Sequence, residues 1–454
     1  MNGRRVPCAD LLPIIIVLAP HVGSAASPAK PTANEDSQFG YLSSICPKLT
    51  SPTSAATLTA GQQDLARECT YFLSNSPTSL LPVLGMQINA LGPETKKFGS
   101  LQQDNVTARL AEVRRGATGL SLSGLTLTGG DDAITASGTS QFRDYEPGGG
   151  SGDSNGDWLD GRLGVFANGD LQDGHKTRVT AGNFAFDIKN YSVTIGADYR
   201  IGQHFVVGAA YGSGKTATDF TSSLGRLDLK TNGVNLYASL FGERYYVDVL
   251  AGYGVPSLDT DRHIQYTGAQ SVDQDAYGST HLHDLWTGLS AGVPLNWSAF
   301  TLTPEGSVNY HEIRLSQFSE TMSRPETPGS GLGLTFGNAS VPSLQARAGL
   351  RATYTISTPW GVLEPNIHGT FIREFRDRSD TFTAQFENAP ASASSLAYTL
   401  HTDPPEAHYT ANGGGINFHL FHGIAGFVEY EELHTLRTIR SHEISFSLRY
   451  QFGM

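Results

Sequence analysis

Over roughly the last two-thirds of this 454-residue chain, apolar and polar residues alternate in long runs, and the polar set carries charge. Tyr191, Val193, Ile195, Ala197, Tyr199 and Ile201 interleave with Ser192, Thr194, Gly196, Asp198 and Arg200. A strand sends successive side chains to opposite faces, so each set shares a face. Tyr245, Val247, Val249, Ala251 and Tyr253 repeat the pattern around Asp248, and Leu344, Ala346, Ala348, Leu350, Ala352, Tyr354 and Ile356 repeat it around Gln345, Arg347, Arg351 and Thr353. The final run sets Ile444, Phe446, Leu448, Tyr450 and Phe452 against Ser445, Ser447, Arg449 and Gln451. Many runs reach the roughly 9–11 residues that a tilted strand needs to cross hydrocarbon. Tyr and Phe fall at their ends, as an aromatic girdle requires. The polar face holds Asp198, Arg200, Asp248, Glu305, Arg347, Arg351, Glu364 and Glu374. A soluble sandwich buries one face in oil and could not host these, whereas a barrel lumen is polar and wet. About twelve such segments lie between Trp158 and Phe452. Short Gly/Pro turns (Gly202-Gln203, Gly242-Glu243, Pro294-Leu295-Asn296) separate them, in alternation with long polar connections near 313–342 and 376–407. The expected fold is all-β and transmembrane: a twelve-stranded antiparallel β-barrel over 158–454, with these charges facing the lumen.

The rest of the chain differs. Residues 1–26 read as a signal peptide: Arg4 and Arg5, an apolar core from Leu11 to Pro20 too short to span a bilayer, then small residues at Gly23–Ala26. Cys8 precedes that core, which argues against a lipoprotein. Cys46 and Cys69 are then the cysteines of the mature chain, and an even pair in an exported protein points to one disulfide. Residues 27–116 are expected to be mainly helical or irregular. One predicted helix covers about Thr59 to Ser74, with Leu65, Cys69, Phe72 and Leu73 on one face. Another covers about Leu101 to Arg115, striped by Val106, Leu110 and Val113 and ended by Gly116. Residues 117–157, including Gly148–Gly152, have the Gly/Ser composition of a flexible linker. No stretch is long and apolar enough for a transmembrane helix, so any insertion must be as a closed barrel.

Charge narrows the function classes. Asp and Glu outnumber Lys and Arg by 43 to 31, a net charge of −12, which argues against nucleic acid as a partner. Motifs with catalytic echoes fail on context. Gly288-Leu289-Ser290-Ala291-Gly292 matches a nucleophile elbow, but that device needs a strand-to-helix turn and Ser290 lies inside an alternating strand. Gly212-Ser213-Gly214-Lys215-Thr216 resembles a phosphate loop, yet Ala209 stands where its first glycine belongs and no helix follows. His281 and His283 share a strand face without a fixed third ligand. Asp131-Asp132 reads as a solvated loop pair, and residues 27–157 contain no Gly-Asp-Ser-Leu or HExxH signature. No catalytic residue, metal or cofactor is expected.

Several segments resemble, in order and spacing, the β-barrel translocator domain of autotransporters, the type V secretion proteins of Gram-negative bacteria. They are Arg162–Gly169, Val193–Arg200 ending in Gly196-Ala197-Asp198-Tyr199-Arg200, Gln317–Thr321, Gly361–Pro365 with Arg373-Glu374-Phe375, and Ile444–Phe452. The resemblance covers about 158–454. It implies an outer-membrane translocator that exports or displays its own N-terminal segment, part of which occupies the pore. It implies outer-membrane lipids, periplasmic chaperones and the barrel-assembly machinery as partners. Ile444, Phe446, Leu448, Tyr450 and Phe452 would be the signal that the machinery reads. The chain departs from the family pattern in three ways: only about 130 residues precede the barrel and show no solenoid repeat, the helix sits some forty residues upstream of the first strand, and Gly453-Met454 follow Phe452. The alternative is an outer-membrane pore or structural barrel with a periplasmic N-terminal domain.

Overall fold

The computed structural model describes residues 32–51, 57–74, 90–114, 119–122, 162–176, 185–220, 224–420, 424–434, 439–440 and 442–450. The signal peptide, Asp131-Asp132, most of the 117–157 linker and Phe452 lie outside them.

The wall is an antiparallel β-barrel. Its strands are β1 (Leu163–Lys176), β2 (Phe186–Ile201), β3 (Phe205–Phe220), β4 (Gly225–Phe241), β5 (Tyr246–Gly254), β6 (Ser257–Thr267), β7 (Ser271–Gly292), β8 (Phe300–Leu315), β9 (Ala339–Tyr354), β10 (Gly361–Glu374), β11 (His408–Leu420), β12 (Ile424–His434) and β13 (His442–Tyr450). They pair in chain order, for example Tyr191 opposite Lys215 and Leu350 opposite Gly369. β5 and β6 lie between the same neighbours, β4 and β7. Val255-Pro256 separates these two strands. The barrel closes where His175-Lys176 of β1 pair with Ile439-Arg440. Further along that edge of β1, Gly119–Leu122 pairs in parallel with Gly164–Ala167.

One end of the barrel has tight turns. Gly202 (φ 67°) and Gly361 (φ 149°) make two of them in conformations that favour glycine. The other end carries the long connections. There Phe318–Met322, Leu334–Phe336, Thr381–Phe386 and Tyr398–His401 form a small second sheet above the wall. Outward positions in the membrane belt are apolar and exposed, among them Val193, Ile195, Leu236, Val249, Leu289, Val308, Leu350 and Ile367. Trp297, Phe300, Tyr354 and Trp360 ring the tight-turn end.

Three α-helices are present among the described residues: α1 (Ala33–Thr50), α2 (Ala60–Ser74) and α3 (Leu91–Arg114). Two were expected. The one that pattern reading missed, α1, begins with a legible capping box: the Glu35 amide donates to Thr32 Oγ1 (3.3 Å) and the Thr32 amide to Glu35 Oε2 (2.6 Å). Its buried stripe mixes Asn34, Gln38, Tyr41, Leu42, Ile45 and Leu49, which dilutes the apolar period. α3 begins ten residues before the expected start at 101, running through Gly99, which reads as a breaker in sequence. Its rise of about 1.5 Å per residue makes it roughly 36 Å long, comparable to a hydrocarbon core.

The Cys46–Cys69 disulfide ties α1 to α2. This pair caps the long-loop end, and its core is continuous with the loops: Tyr41, Leu42, Ile45, Leu65 and Phe72 pack with Leu332, Leu334, Phe336, Phe382, Phe386 and Tyr398. Burial pushes the Tyr41 hydroxyl up to about 12, while the Phe386 amide that donates to it (2.9 Å) pulls it down. Burial also raises the Glu68 carboxyl above the usual range. The hydrogen bond from Tyr266 (3.1 Å) opposes that rise, Asp64 adds to it and Arg67 counters it. A raised folded pKa contributes stability that is full below the unfolded carboxyl value and lost as pH rises through the folded value. Glu68→Gln therefore melts at a higher temperature than wild type at pH 8, with the gap closing towards pH 4. A variant less stable at pH 8 would remove burial as the dominant effect.

A lumen filled by one helix and closed by a cap

α3 enters the lumen with its first turn at the long-loop end and its last at the tight-turn end. Every lumenal contact follows that direction. Near its start, Phe98 meets Trp286 edge-on with ring centroids 5.8 Å apart. A Cβ added at Gly99 would lie 2.6 Å from the His311 ring, so a glycine is required where the helix touches the wall. Midway, Thr194 Oγ1 and Asn235 Nδ2 both donate to Gln102 Oε1 at 3.0 Å, and Asn105 Nδ2 donates to Thr194 Oγ1 at 3.0 Å. Gly212 makes room for this layer, since a Cβ there would sit 2.1 Å from Gln102 Oε1. Further down, Arg109 grips Asp198 with two hydrogen bonds of 2.7 and 3.1 Å, and its guanidinium lies 5.4 Å from the centroid of Phe166. At the last turn Arg114 pairs with Asp248 at 2.7 Å and stacks 4.1 Å over Tyr246, while Arg200 donates to the Val113 carbonyl. That bond serves one of the carbonyls a helix end leaves unpaired.

Of the charged residues singled out in the sequence, Asp198, Arg200 and Asp248 thus hold α3. The others lie elsewhere on the lumenal wall. Glu305 accepts from Tyr246 Oη (3.2 Å), and Arg347 donates to Gln345 (3.2 Å). Arg351 pairs with Glu429 (3.2 Å), Glu364 accepts from Thr355 (3.2 Å), and Glu374 accepts from Ser343 (2.6 Å). Their strands, β8 to β12, face a cavity of about 480 Å3 beside Ser100, Gln103, Asp104 and Thr107 of α3. The helix therefore leans on one half of the wall and leaves the other half polar and open. Sequence reading missed the helix-borne partners Gln102, Asn105, Arg109 and Arg114. The spacing of Gln102, Asn105 and Arg109, three and four apart and on the same side as Val106, Leu110 and Val113, was a usable signal, because a buried helix face that mixes polar and apolar residues marks a helix whose surroundings are partly polar.

Ser290 lies within β7, opposite Asp248 and Ser307, and lines the cavity. Gly212–Thr216 runs inside β3. His281 and His283 point outward, with His283 Nδ1 2.6 Å from the Tyr253 hydroxyl. Ile444, Phe446, Leu448 and Tyr450 belong to β13, whose neighbour is β12.

At the loop end α1 closes an exposed sheet edge. Asn34 donates to the His401 carbonyl (3.0 Å) and accepts from the His401 amide (2.7 Å), Ser37 accepts from the Thr399 amide (2.8 Å), and Tyr41 reaches Phe386. Spacings of three and four put these side chains on one helix face, where they pair backbone groups that an edge strand leaves open. On α2, Asp64 accepts from the Gly331 amide (2.9 Å), and Tyr71 stacks on Tyr266 with centroids 4.9 Å apart.

The Arg109–Asp198 pair is almost fully buried. Removing one partner strands the other's charge, at a cost of about 3–5 kcal/mol. Arg109→Leu should lower the opening free energy of α3, read from amide exchange, by that order. The double variant Arg109→Leu/Asp198→Leu should recover most of it. Equal losses in the single and double variants would mean that the pair does not anchor the helix.

Comparison with known proteins agrees with this architecture. Residues 165–431, more than half of the chain, match the family model described as the autotransporter beta-domain. No curated protein matches the chain. Among solved structures, the chain is similar to the translocator domain of the autotransporter NalP from Neisseria meningitidis, at 20% identity over 66% of this chain and 91% of that one, with a TM-score of 0.48. It is also similar to the beta domain of the Bordetella autotransporter Brka (16% identity, 64% and 100% coverage, TM-score 0.42). A third is the transport unit of AIDA-I from Escherichia coli (11% identity, 66% and 93% coverage, TM-score 0.38). On the family match, the chain belongs to the autotransporter β-domain family of Gram-negative outer-membrane translocators.

Proposed function

We propose that this barrel carries its own N-terminal segment across the outer membrane and keeps it at the cell surface as a fixed cap. The observation that carries the reading is the core shared by α1, α2 and the long loops, in which Tyr41 lies 5.1 Å from Tyr398 and Phe72 stacks 6.3 Å from Phe386. A segment meant for release has no reason to complete the apolar core of the barrel that delivered it. Long loops face outward in this barrel class, so a cap seated on them is a surface feature. α3 then runs inward from the cap, and β1 starts at the tight-turn end, with Leu163 opposite Tyr199. The N-terminal segment is thus the barrel's own partner in the pore, and the buried Arg109–Asp198 and Arg114–Asp248 pairs hold it there.

Insertion is proposed to follow the usual route for an exported barrel, through periplasmic chaperones and the barrel-assembly machinery into outer-membrane lipids. Ile444, Phe446, Leu448, Tyr450 and Phe452 are the assembly signal in this account. No step involves catalysis, a cofactor, a metal or nucleic acid: folding of the wall and docking of the cap supply the drive. The competing reading, a solute pore with a periplasmic N-terminal domain, draws on the polar half-lumen beside α3.

An antibody raised against the disulfide-closed α1–α2 pair separates the two. Display as a fixed cap predicts that it binds intact cells, and that cap and barrel stay in one polypeptide with no free cap in the medium. Binding only after the outer membrane is permeabilised would reject surface display in favour of the periplasmic arrangement. Free cap in the medium would reject retention.

A further inference from the structure

The outer face of the wall above the apolar belt divides into two sectors of opposite character. Across β2 to β7 it is acidic, and three of its cations are neutralised within the wall. Lys215 pairs with Asp228 (3.2 Å), Arg226 with Asp228 (3.0 Å) and Lys230 with Asp259 (3.5 Å), while Asp187, Asp261 and Asp273 add further negative charge. Across β8 to β11 the balance reverses, against the −12 net charge of the chain. Arg314, Arg373, Arg376, Arg378 and His408 are all exposed there, against Glu312 and Asp377. Arg314 takes Glu312 at 3.0 Å, and Arg373, Arg376 and Arg378 make no ion pair among the described residues.

The cations stand on an aromatic and aliphatic base. Arg373 lies in register between Ala346 and His408, with Phe371 and Phe375 before and after it on the same outward face. Phe371 and Phe375 are about half exposed, and Phe371 stacks on His408 with centroids 6.4 Å apart. Ile367 continues the same row towards the membrane centre. Arginine binds phosphate through a planar fork and lies well on aromatic faces, whereas a guanidinium in hydrocarbon is costly. Three arginines without acidic partners, set where apolar wall meets water, match a ligand with phosphates above and acyl chains below.

We propose that this sector, centred on Arg373, Arg376 and Arg378, is a docking site for a phosphorylated, multiply acylated lipid of the leaflet at the long-loop end. The phosphates take the three guanidinium groups, and the acyl chains lie along Phe371, Phe375 and Ile367. The opposite sector, where Lys215, Arg226 and Lys230 already have aspartates, does not bind this lipid. Placing that leaflet at the cell surface rests on the display reading above, but the binding itself does not.

The test uses the full-length mature chain, folded in a neutral detergent and checked for fold by its heat-modifiable gel mobility. It is titrated with bis-phosphorylated lipid A, and bound copies are counted by native mass spectrometry. Wild type should retain the lipid. Arg373→Gln/Arg376→Gln/Arg378→Gln should weaken retention by on the order of a hundredfold. The charge-keeping Arg373→Lys/Arg376→Lys/Arg378→Lys should restore most of it. Lys215→Gln/Arg226→Gln/Lys230→Gln, in the acidic sector, should bind as wild type does. The proposal is overturned if the glutamine triple variant binds like wild type, if the acidic-sector variant loses binding, or if lipid A stripped of its phosphates binds equally well. Inorganic phosphate binding as tightly as the lipid would also overturn it, because the site would then be a free-anion site. Because the assay uses no cells, its failure leaves the antibody result standing, and a periplasmic cap leaves this result standing.

Discussion

A backbone in hydrocarbon must pair every N–H and C=O within itself, because no water is there to take them. Everything else in this molecule depends on that constraint. It forces the wall to close, and here closure joins β1 to the last strands at His175-Lys176 and Ile439-Arg440. A closed wall with a strict side-chain period of two must show one face to lipid and the other to a lumen. The lumen in turn must be solvated or filled by polar groups. α3 fills half of it through a ladder of charge pairs and amide contacts, and the cavity along β8 to β12 occupies the other half.

The same constraint operates at the long-loop end in another form. The small sheet above the wall leaves Tyr398–His401 as an open edge, and α1 covers it with Asn34, Ser37 and Tyr41. The apolar residues beneath that edge, Phe382, Phe386 and Leu400, are buried in one core with Tyr41, Leu42 and Phe72 of the cap. Cap and loops therefore share one core, although their contacts span 198 to 367 residues of sequence. The disulfide holds both docking helices together, so that α1 on the Thr381–His401 hairpin and α2 on Gly331 and Tyr266 engage as a pair.

How much of this is legible in the sequence follows from how local each signal is. Strand alternation is local, so Tyr191–Ile201 and Leu344–Tyr354 read directly as wall. Charge on the polar face is equally local, and Asp198, Arg200 and Asp248 could be singled out without knowing what they hold. Their partners could not. Arg109 and Asp198 are 89 residues apart, and nothing in either neighbourhood names the other. The helix α1 escaped because its buried face carries Asn34, Gln38 and Tyr41, which serve a distant sheet edge and break the apolar period that identifies helices. The early start of α3 escaped because Gly99 looks like a terminator, whereas it is a point of close approach to His311. In both cases the misleading residue is one that makes a tertiary contact.

The central claim is that α3 stays lodged in the lumen, with its first turn towards the long loops. Paired cysteines test it in isolated outer membranes. Asn105→Cys with Thr194→Cys, and Gly99→Cys with His311→Cys, place thiols at two heights along the helix, at contacts of 3.0 Å between Asn105 and Thr194 and directly beneath the His311 ring. The account predicts that mild oxidant cross-links both pairs in the folded, heat-modifiable protein, while the mismatched pair Asn105→Cys with His311→Cys stays free. Free thiols in both matched pairs, or cross-linking of the mismatched pair alone, would contradict it.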